Sequence, residues 1–526
     1  MHVTQQRSIV IVGGGHNGLV AAAYLARAGL AVTVLEKQPH VGGAAVSAHA
    51  FEGVDARLSR YSYLVSLLPQ RIIDDLELDL TLARRRYSSF TPEPGGETGL
   101  LVDTGDLTAT AASFASIGAA GDAAAWTQFY DGTERLARAL FPTLTEPLPT
   151  RSEARAALAD DELWNALIER PLGEIIEATF SNDLVRGVVL TDALIGTFVP
   201  AHDGALSANR CFLYHVIGGG TGDWDVPVGG MGAVSGELER SARLAGATIL
   251  TDATVTSIDP ATGDVHYLRD GAEDTVHSDR VLANVAPAVL QRLLDDTDFP
   301  VADGTHTLPG AQAKVNLVLS RLPRLRDSSI DPVAAFGGTF HINETYSQLQ
   351  HAYDTAVGGS VPEPVPAEIY CHSLTDPSIL SPELQATGAQ TLTVFALHVP
   401  HSLVDANDHD AWRQQVQEAV IRSLNSVLAE PIEPLLLLDA HGNPCIETKT
   451  TLDLENTIDL PAGNIFHGGL DWPFVDDDTD LTTPAARWGV ATAHERVLLC
   501  GSGARRGGGV SGIGGHNAAM AVLETL

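Results

Sequence analysis

The chain has 526 residues, which at about 150 residues per domain corresponds to three or four domains or to two large ones, and 44% of the residues are hydrophobic. Its 32 basic and 66 acidic residues give a formal net charge of −34, so a polyanion such as nucleic acid is repelled. We therefore expect a protein with buried cores and no nucleic acid partner.

The four cysteines lie far apart and form no Cys-x-x-Cys pair, which disfavours a zinc site and a thiol redox centre. The acidic run at 476–480 is typical of a solvated loop, so no metal site is predicted. The sequence shows no signal peptide and no run of about 18 apolar residues, which favours a cytoplasmic protein. Peripheral membrane contact stays open, and so does the choice between a monomer and a homodimer.

The first motif follows a short apolar run, Ser8–Val12, which predicts a β-strand. The strand leads into GGGHNG and then into a helical pattern that ends at Gly29. In such a motif Gly13 permits a tight turn, Gly15 lets the backbone approach a pyrophosphate, and Gly18 lets the helix pack on the strand. The free amides of the helix then face the phosphates, which predicts a dinucleotide site. The alternative is an ordinary βαβ unit with a glycine-rich turn.

A second predicted strand, Ala31–Leu35, delivers an acid at its end. Glu36 is placed to accept hydrogen bonds from an adenosine ribose, and an acid there fits a ribose without a 2′-phosphate. A plain NAD domain does not need the Gly42-Gly43 pair that follows. FAD needs such a second close backbone approach where the extended cofactor continues towards its flavin, so the pattern favours FAD.

Two later segments complete the same domain. Residues 229–232 open a helix that precedes a hairpin, where the backbone of Val255 is placed to bracket the adenine. Residues 497–500 form a strand before a glycine-rich loop ending at Gly512, and the last helix is expected to aim its N-terminal amides at the flavin. The expected cofactor-binding residues are Gly13, Gly15, Asn17, Gly18, Glu36, Lys37, Gly42, Gly43, Ala44, Val255, Gly501, Gly509, Val510 and Gly512.

The remaining residues predict a substrate region. Residues 87–227 have mainly helical patterns, typical of a helical cap, whereas 300–487 alternate strands with an amphipathic helix. Because flavin accepts a hydride without a protein base, no catalytic residue is assigned. Tyr63, Trp224 and Trp472 are candidates for the wall of an apolar pocket. The candidates for a catalytic role, each with a structural alternative, are Arg60, Tyr61, His215, Lys314 and His467.

Several motifs carry a family resemblance, among them VGGGHNGLVAAAYLARAG, EKQPHVGGAAV, LSRYSYLVSLL and LCGSGARRGGGVSGIGGHNAA. They resemble FAD-dependent oxidoreductases of the phytoene desaturase superfamily, whose wider relatives include amine oxidases. The branch they resemble is that of pyridine nucleotide-disulphide oxidoreductase domain-containing protein 2 and β-carotene ketolase-like proteins. Desaturases proper carry arginine where this chain has Ala44, which points away from phytoene itself.

The resemblance implies an α/β fold, α+β overall. This is a two-dinucleotide-binding-domain FAD fold, Rossmann-like, with an inserted mixed sheet and a helical substrate domain, as in amine oxidases and phytoene desaturases. The implied FAD-binding domain is discontinuous and comprises 1–86, 228–299 and 488–526. The implied substrate domain comprises 87–227 and 300–487.

The resemblance also implies an FAD-dependent oxidoreductase that abstracts a hydride from a C–C or C–N unit of a fairly apolar small molecule, in the manner of a desaturase or dehydrogenase. Since the chain has no cysteine pair and no second complete nucleotide fold, oxygen, a quinone or another acceptor would reoxidise the flavin. Two alternatives stay open. One is a redox-neutral, FAD-dependent double-bond isomerase, and the other is a non-catalytic lipid or isoprenoid escort protein of the same fold.

Overall fold

The structure of the protein is a computed structural model that describes residues 7–295 and 308–526. Its strands are β1 (Ser8–Val12), β2 (Ala31–Leu35), β3 (Ser47–His49), β4 (Arg57–Ser59), β5 (Leu82–Arg84), β6 (Tyr87–Pro92), β7 (Gly99–Asp103), β8 (Asp225–Pro227), β9 (Thr248–Leu250), β10 (Ala253–Asp259), β11 (Asp264–Arg269), β12 (Ala272–His277), β13 (Arg280–Ala283), β14 (Ala313–Leu319), β15 (Thr339–Ile342), β16 (Ala367–Tyr370), β17 (Gln390–Ala396), β18 (Ile446–Lys449) and β19 (Val497–Leu499).

The helices lie between and after these strands. They are α1 (His16–Arg27), α2 (Gln70–Asp75), α3 (Leu107–Ser116), α4 (Asp122–Leu140), α5 (Arg151–Leu158), α6 (Asp161–Trp164), α7 (Leu172–Thr179), α8 (Asp183–Thr191), α9 (Ser207–Val216), α10 (Met231–Leu244), α11 (Pro287–Leu294), α12 (Pro332–Phe336), α13 (Tyr346–Val357), α14 (His372–Thr375), α15 (Pro382–Thr387), α16 (His409–Val427), α17 (Thr451–Ile458), α18 (Pro484–Arg487) and α19 (Ile513–Leu523). Short 3₁₀ turns lie at Phe141–Thr145, Gly218–Gly220, Pro377–Ile379, His401–Leu403, Glu433–Leu435 and Pro461–Gly463, and a π turn lies at Asn165–Glu169.

A parallel five-stranded sheet, in the order β19-β13-β1-β2-β9, forms the nucleotide-fold part of the molecule. Its strands come from both ends and the middle of the chain, as the sequence predicts. The short apolar runs suit a sheet that is covered on both faces. Helix α1 packs between α10 and α19 and is buried along almost its whole length. The predicted α/β fold is therefore confirmed.

A three-stranded antiparallel sheet, β10-β11-β12, lies beside the first sheet. The sequence predicts its first two strands as a hairpin and misses the third. Strand β12 reads AEDTVH and is almost fully exposed, so it lacks the apolar alternation by which strands are recognised.

The second large sheet has seven strands, in the order β18-β14-β17-β16-β15-β6-β7. Only β15 and β6 pair in parallel among its neighbours; the other pairs are antiparallel. The assignment of residues 87–103 to a helical cap is wrong, because β6 and β7 form the edge of this sheet. The apolar residues of both strands are buried against it, and this long-range pairing overrides the weak local pattern.

Helices α3 to α9 form the predicted helical region over one side of the cavity described below. Residues 152–169, within the region of helical patterns, are divided in the structure into α5, α6 and the π turn. Ala159 adopts a left-handed conformation with φ of 53°, which ends α5, and the side chain of Asp160 caps the start of α6. Helices α8 and α9 were not predicted.

Within residues 7–295 and 308–526, no helix combines the length and the apolar character that a membrane span requires. The predicted domain boundaries stay a prediction, and the one at 299/300 lies outside the described residues.

Candidate functional site

The turn after β1 brings three backbones closer together than any side chain would permit. Gly13 has φ of +97°, and a Cβ atom on it would lie 2.5 Å from the carbonyl oxygen of Asn284. A Cβ atom on Gly18, in the first turn of α1, would lie 2.3 Å from the carbonyl oxygen of Gly13. These distances require glycine at both positions. Gly13 forms the tight turn and Gly18 the contact between helix and strand, as the sequence predicts.

Asn284 holds this loop in place, and the sequence analysis did not single it out as a site residue. It follows β13, and its side-chain amide donates to the carbonyl oxygen of Gly13 at 2.9 Å. A Cβ atom on Gly501 would lie 2.9 Å from its Oδ1 atom. Asn284 thus joins the first and last glycine loops. A polar residue at the carboxyl end of a buried strand is the signal that could have revealed it.

Glu36 lies at the end of β2 and lines the cavity beside the glycine loop. Its two carboxylate oxygens accept hydrogen bonds from the backbone amides of Gly14 at 2.7 Å and Gln38 at 2.8 Å. Burial raises the pKa of Glu36, and the two amide donors oppose that shift. Lys37 pairs with Asp459 at 2.5 Å, which ties this end of the cavity to the residue after α17.

The two residues of the second glycine pair, Gly42 and Gly43, have different roles. The amide of Gly42 donates to the carbonyl of Gly14 at 2.9 Å, and Gly42 itself does not line the cavity. Gly43 and Ala44 do line it, together with Gly15 across the turn. A second close backbone approach therefore faces the cavity immediately after the first.

One continuous cavity, of about 1690 Å³ including its opening to solvent, extends from the glycine loop between the two large sheets. At the nucleotide end it is lined by Val255 of β10 and by residues of and before α11. Predicted residues that line it are Gly13, Gly15, Glu36, Lys37, Gly43, Ala44, Tyr61, Tyr63, His215, Trp224, Val255, His467, Gly509 and Val510.

The C-terminal glycine loop reaches the cavity one turn before the last helix. Gly509 and Val510 line the cavity, whereas Gly501 and Gly512 do not. Helix α19 instead packs on α1, where a Cβ atom on Gly515 would lie 1.9 Å from the carbonyl oxygen of Asn17. Asn17 accordingly lies in this helix contact, where its Oδ1 accepts from the amide of Gly515 at 3.4 Å, and not in the cavity lining.

The opposite end of the cavity has an aromatic wall made of Tyr63, Trp224 and Phe395. The rings of Tyr63 and Trp224 are parallel within 5°, with centroids 6.1 Å apart, and the centroids of Tyr63 and Phe395 are 4.4 Å apart. These residues come from a loop, the approach to β8 and strand β17. Burial raises the pKa of Tyr63 well above its usual value, so its hydroxyl stays protonated.

Two neutral histidines also line the cavity. His215 donates through Nδ1 to the carbonyl oxygen of Cys211 at 2.9 Å, and its buried Nε2 has no hydrogen-bond partner. His467 likewise has a buried Nδ1 without a partner. Burial lowers the pKa of each to about 4. Both rings are therefore neutral at neutral pH, and in His215, whose Nδ1 carries the proton, Nε2 is unprotonated.

Two predicted catalytic candidates are held outside the cavity lining. Arg60 forms an ion pair with Glu447, with Nε 3.3 Å from a carboxylate oxygen. Lys314 donates to the carbonyl oxygens of Ser59 at 2.7 Å and Ser62 at 2.8 Å, behind the ring of Phe395. Burial lowers the pKa of Lys314 to about 7. Of the other aromatic candidates, Trp472 also lies outside the lining and stacks on Phe474 at 5.6 Å.

The glycine loop, Glu36 and Gly43 all fall within residues 11–70, which match the NAD(P)-binding Rossmann-like domain family. Over almost the whole chain the sequence is also similar to known proteins. Uncharacterized protein Rv0897c of Mycobacterium tuberculosis is 56% identical over 530 residues, covering 98% of this chain and 97% of that protein. This chain belongs to the same family as Rv0897c.

More distant relatives and solved structures extend the comparison. Pyridine nucleotide-disulfide oxidoreductase domain-containing protein 2 of Rattus norvegicus is 29% identical over 578 residues, covering 98% of this chain and 93% of that protein. Wild-type putrescine oxidase bound to putrescine superposes with a TM-score of 0.57 at 18% identity, covering 99% of this chain and 98% of the other. Cyclohexylamine oxidase from Brevibacterium oxydans gives 0.54 at 14% identity, covering 99% and 100%. This Rv0897c-like chain thus has the fold of FAD-dependent oxidoreductases such as amine oxidases.

Proposed function

We propose that the protein is an FAD-dependent oxidoreductase that removes a hydride from an apolar small molecule, as desaturases and dehydrogenases do. The observation that carries this proposal is the single cavity that joins a dinucleotide-binding loop to an aromatic wall. A dinucleotide in the first part would place its reactive end towards a substrate in the second.

The residues at the nucleotide end fit FAD. Gly13 and Gly18 bring the start of α1 against the end of β1, where backbone amides can face a pyrophosphate. Glu36 would accept hydrogen bonds from an adenosine ribose, and Val255 would contact the adenine. Gly43 and Gly509 have no side chain and therefore expose the backbone further along the cavity, where an extended cofactor would continue.

When bound, FAD supplies the hydride acceptor. The aromatic wall would hold the substrate and exclude water from it, because Tyr63, Trp224 and Phe395 offer broad apolar faces. The ring of His215 would support this wall by stacking on Trp224, with centroids 5.2 Å apart. With its pKa lowered to about 4, His215 would not take up a second ring proton at neutral pH.

The charge of the lining favours an uncharged substrate. Among the described residues that line the cavity, the carboxylates are Glu36 and Asp459, and both lie at the nucleotide end. An ammonium group at the aromatic wall would lack an anionic partner, although aromatic faces do attract cations. A C–C unit is therefore favoured over the C–N unit of an amine, which agrees with the resemblance to the phytoene desaturase superfamily.

A redox-neutral isomerase is the second candidate, and the cysteines favour it. All four cysteines are buried and free, so the chain offers no disulfide to carry electrons away. In an oxidoreductase the electrons would pass to oxygen, a quinone or another external acceptor. In an isomerase they would return to the substrate.

Purification of the protein tests the cofactor first. We expect a yellow protein with an absorption band near about 450 nm, and FAD released on heating should be identified by chromatography. A colourless protein that binds no added FAD would overturn the proposal and leave the escort protein. Anaerobic addition of an isoprenoid polyene, a cyclic monoterpene and a primary amine then tests the reaction. Lasting bleaching indicates oxidation, whereas conversion of the substrate without lasting bleaching indicates isomerisation.

A further inference from the structure

A buried cluster of three ligand-type side chains lies outside the cavity. His341 belongs to β15, Glu344 follows that strand, and Glu368 belongs to the neighbouring strand β16. Their exposed fractions are 5%, 0% and 3%. One donor atom from each lies within 4.8 Å of the others, so three side chains converge on one small volume.

The hydrogen bonds of the cluster are incomplete. Glu368 accepts from the hydroxyl of Thr191 at 3.1 Å and from the hydroxyl of Tyr370. The Nδ1 atom of His341 lies 3.2 Å from the hydroxyl oxygen of Thr91 and 3.9 Å from a carboxylate oxygen of Glu344. Neither oxygen of Glu344 has a hydrogen-bond partner. A fully buried carboxylate in that condition needs a partner that the side chains do not supply.

The charges around the cluster do not balance. Asp192 lies close enough to interact electrostatically with both glutamates, and Arg85 acts on Glu368 and His341. Burial raises the pKa of Asp192, Glu344 and Glu368, and ionising all three would set three negative charges against the single positive charge of Arg85. A divalent cation would cancel the remaining two charges.

We propose that His341, Glu344 and Glu368 bind one divalent first-row metal ion, zinc or manganese. One imidazole nitrogen and two carboxylate oxygens suit either ion. Donors bound to one ion at about 2.1 Å in a tetrahedral arrangement lie roughly 3.4 Å apart, so the cluster would contract around the ion when it binds. This site is independent of the proposed flavin chemistry.

The position of the cluster indicates a structural role for the metal. Through Thr191 it joins the end of α8 to the seven-stranded sheet, and through Tyr370 it reaches the aromatic wall. The ring of Tyr370 lies 4.7 Å from that of Tyr63, which lines the cavity. The ion would therefore brace the helical region and the sheet directly behind the wall.

Metal analysis of the intact protein tests this site. The protein should be produced without a polyhistidine tag, in medium that contains zinc and manganese, and measured by inductively coupled plasma mass spectrometry. We expect roughly one zinc or manganese ion per chain. Glu344→Gln keeps the shape of the side chain, and we expect it to weaken binding of ZnCl₂ and MnCl₂ by at least about tenfold after chelation. The exposed Glu273→Gln is the matched control and should bind as the wild type does.

Wild-type protein that contains no metal and takes up neither ion after chelation would overturn the proposal. So would a folded Glu344→Gln protein with full metal content. Circular dichroism and flavin content verify that each variant is folded, and His341→Gln serves as a second variant. A yellow protein without metal would refute only this site, whereas a colourless protein with one ion per chain would refute only the flavin proposal.

Discussion

The two ends of the cavity are built in different ways. At the nucleotide end, glycine residues let backbone segments approach one another closely, and Gly13, Gly18 and Glu36 lie within 24 consecutive residues of the printed sequence. At the aromatic end, Tyr63, Trp224 and Phe395 come from segments far apart in the chain. The first end depends on the absence of side chains, and the second depends on their size.

This difference means that the two ends should fail separately. Removing the close backbone approach should abolish cofactor binding without any change to the aromatic wall. Removing an aromatic side chain should affect the substrate and leave the cofactor in place. Acidic pH, which protonates buried histidines, should reduce the stability of both ends, because a buried histidine lies at each of them.

The largest effect is expected for Gly13→Ala. The new Cβ atom would meet the carbonyl oxygen of Asn284 at 2.5 Å, in a backbone conformation with φ of +97° that alanine avoids. We expect the protein to retain less than about a tenth of its FAD, since strain of about 1–3 kcal/mol adds to the clash. The measurement is the ratio of flavin to protein absorbance after purification.

The matched control for that variant is Gly29→Ala. Gly29 has φ of +85°, yet a Cβ atom on it would meet nothing within 4 Å. It should lose some thermal stability and keep its FAD. Equal loss of FAD in both variants would show that backbone strain alone matters, and that the contact with Asn284 does not.

A smaller effect is expected for Trp224→Ala at the aromatic wall. The variant loses the indole ring, which lies parallel to the ring of Tyr63 and stacks on the ring of His215 with centroids 5.2 Å apart. We expect kcat/KM for the bleaching substrate to fall by about 10–100-fold, the effect of losing about 1.4–2.8 kcal/mol of binding energy. The flavin content should stay at the wild-type value. Trp472→Ala is the control, because that ring stacks on Phe474 outside the cavity lining.

The smallest effect concerns acid stability and involves both ends. Burial lowers the pKa of His16 at the nucleotide end and of His215 at the aromatic wall to about 4. Unfolded histidine has a pKa near about 6.5, so between that value and about 4 the unfolded chain binds more protons. Stability is therefore complete above about pH 6.5 and falls as the pH falls towards 4.

A single histidine accounts for about 1 kcal/mol of that loss between pH 7 and about pH 5.5. We expect His215→Asn, which retains a donor for the Cys211 carbonyl, to reduce the loss in unfolding free energy by about this amount. Urea unfolding at the two pH values measures it. The control variant is His351→Asn, at an exposed position, and an equal change in both variants would contradict the assignment to His215.

The sequence predicts the nucleotide end well because its determinants are local. A strand, a glycine turn, a helix and an acid follow one another, and each leaves a pattern of its own. Arg60 and Lys314 show where this reasoning stops. Their partners, Glu447 and the carbonyls of Ser59 and Ser62, depend on the packing of distant segments or on backbone groups that no pattern reveals.

The same limit explains the errors in the fold. Strands β6 and β7 are stabilised because β6 pairs with β15 of a sheet whose other strands lie more than two hundred residues further along the chain. Gly512 lies outside the cavity because α19 crosses α1, a contact that sequence periodicity does not report. The aromatic wall was foreseen only in part: Tyr63 and Trp224 belong to it, whereas Trp472 does not.

The crossing of α1 and α19 also determines when the proposed FAD site can be completed during protein synthesis. The amide of Gly515 in α19 donates to Oδ1 of Asn17 in α1 at 3.4 Å, across 498 residues of sequence. A ribosome adding about 5–20 residues per second needs roughly 25–100 s to cover that interval. During that time α1 lacks the helix that packs on it, so the proposed FAD site is completed only after residue 515 has been made.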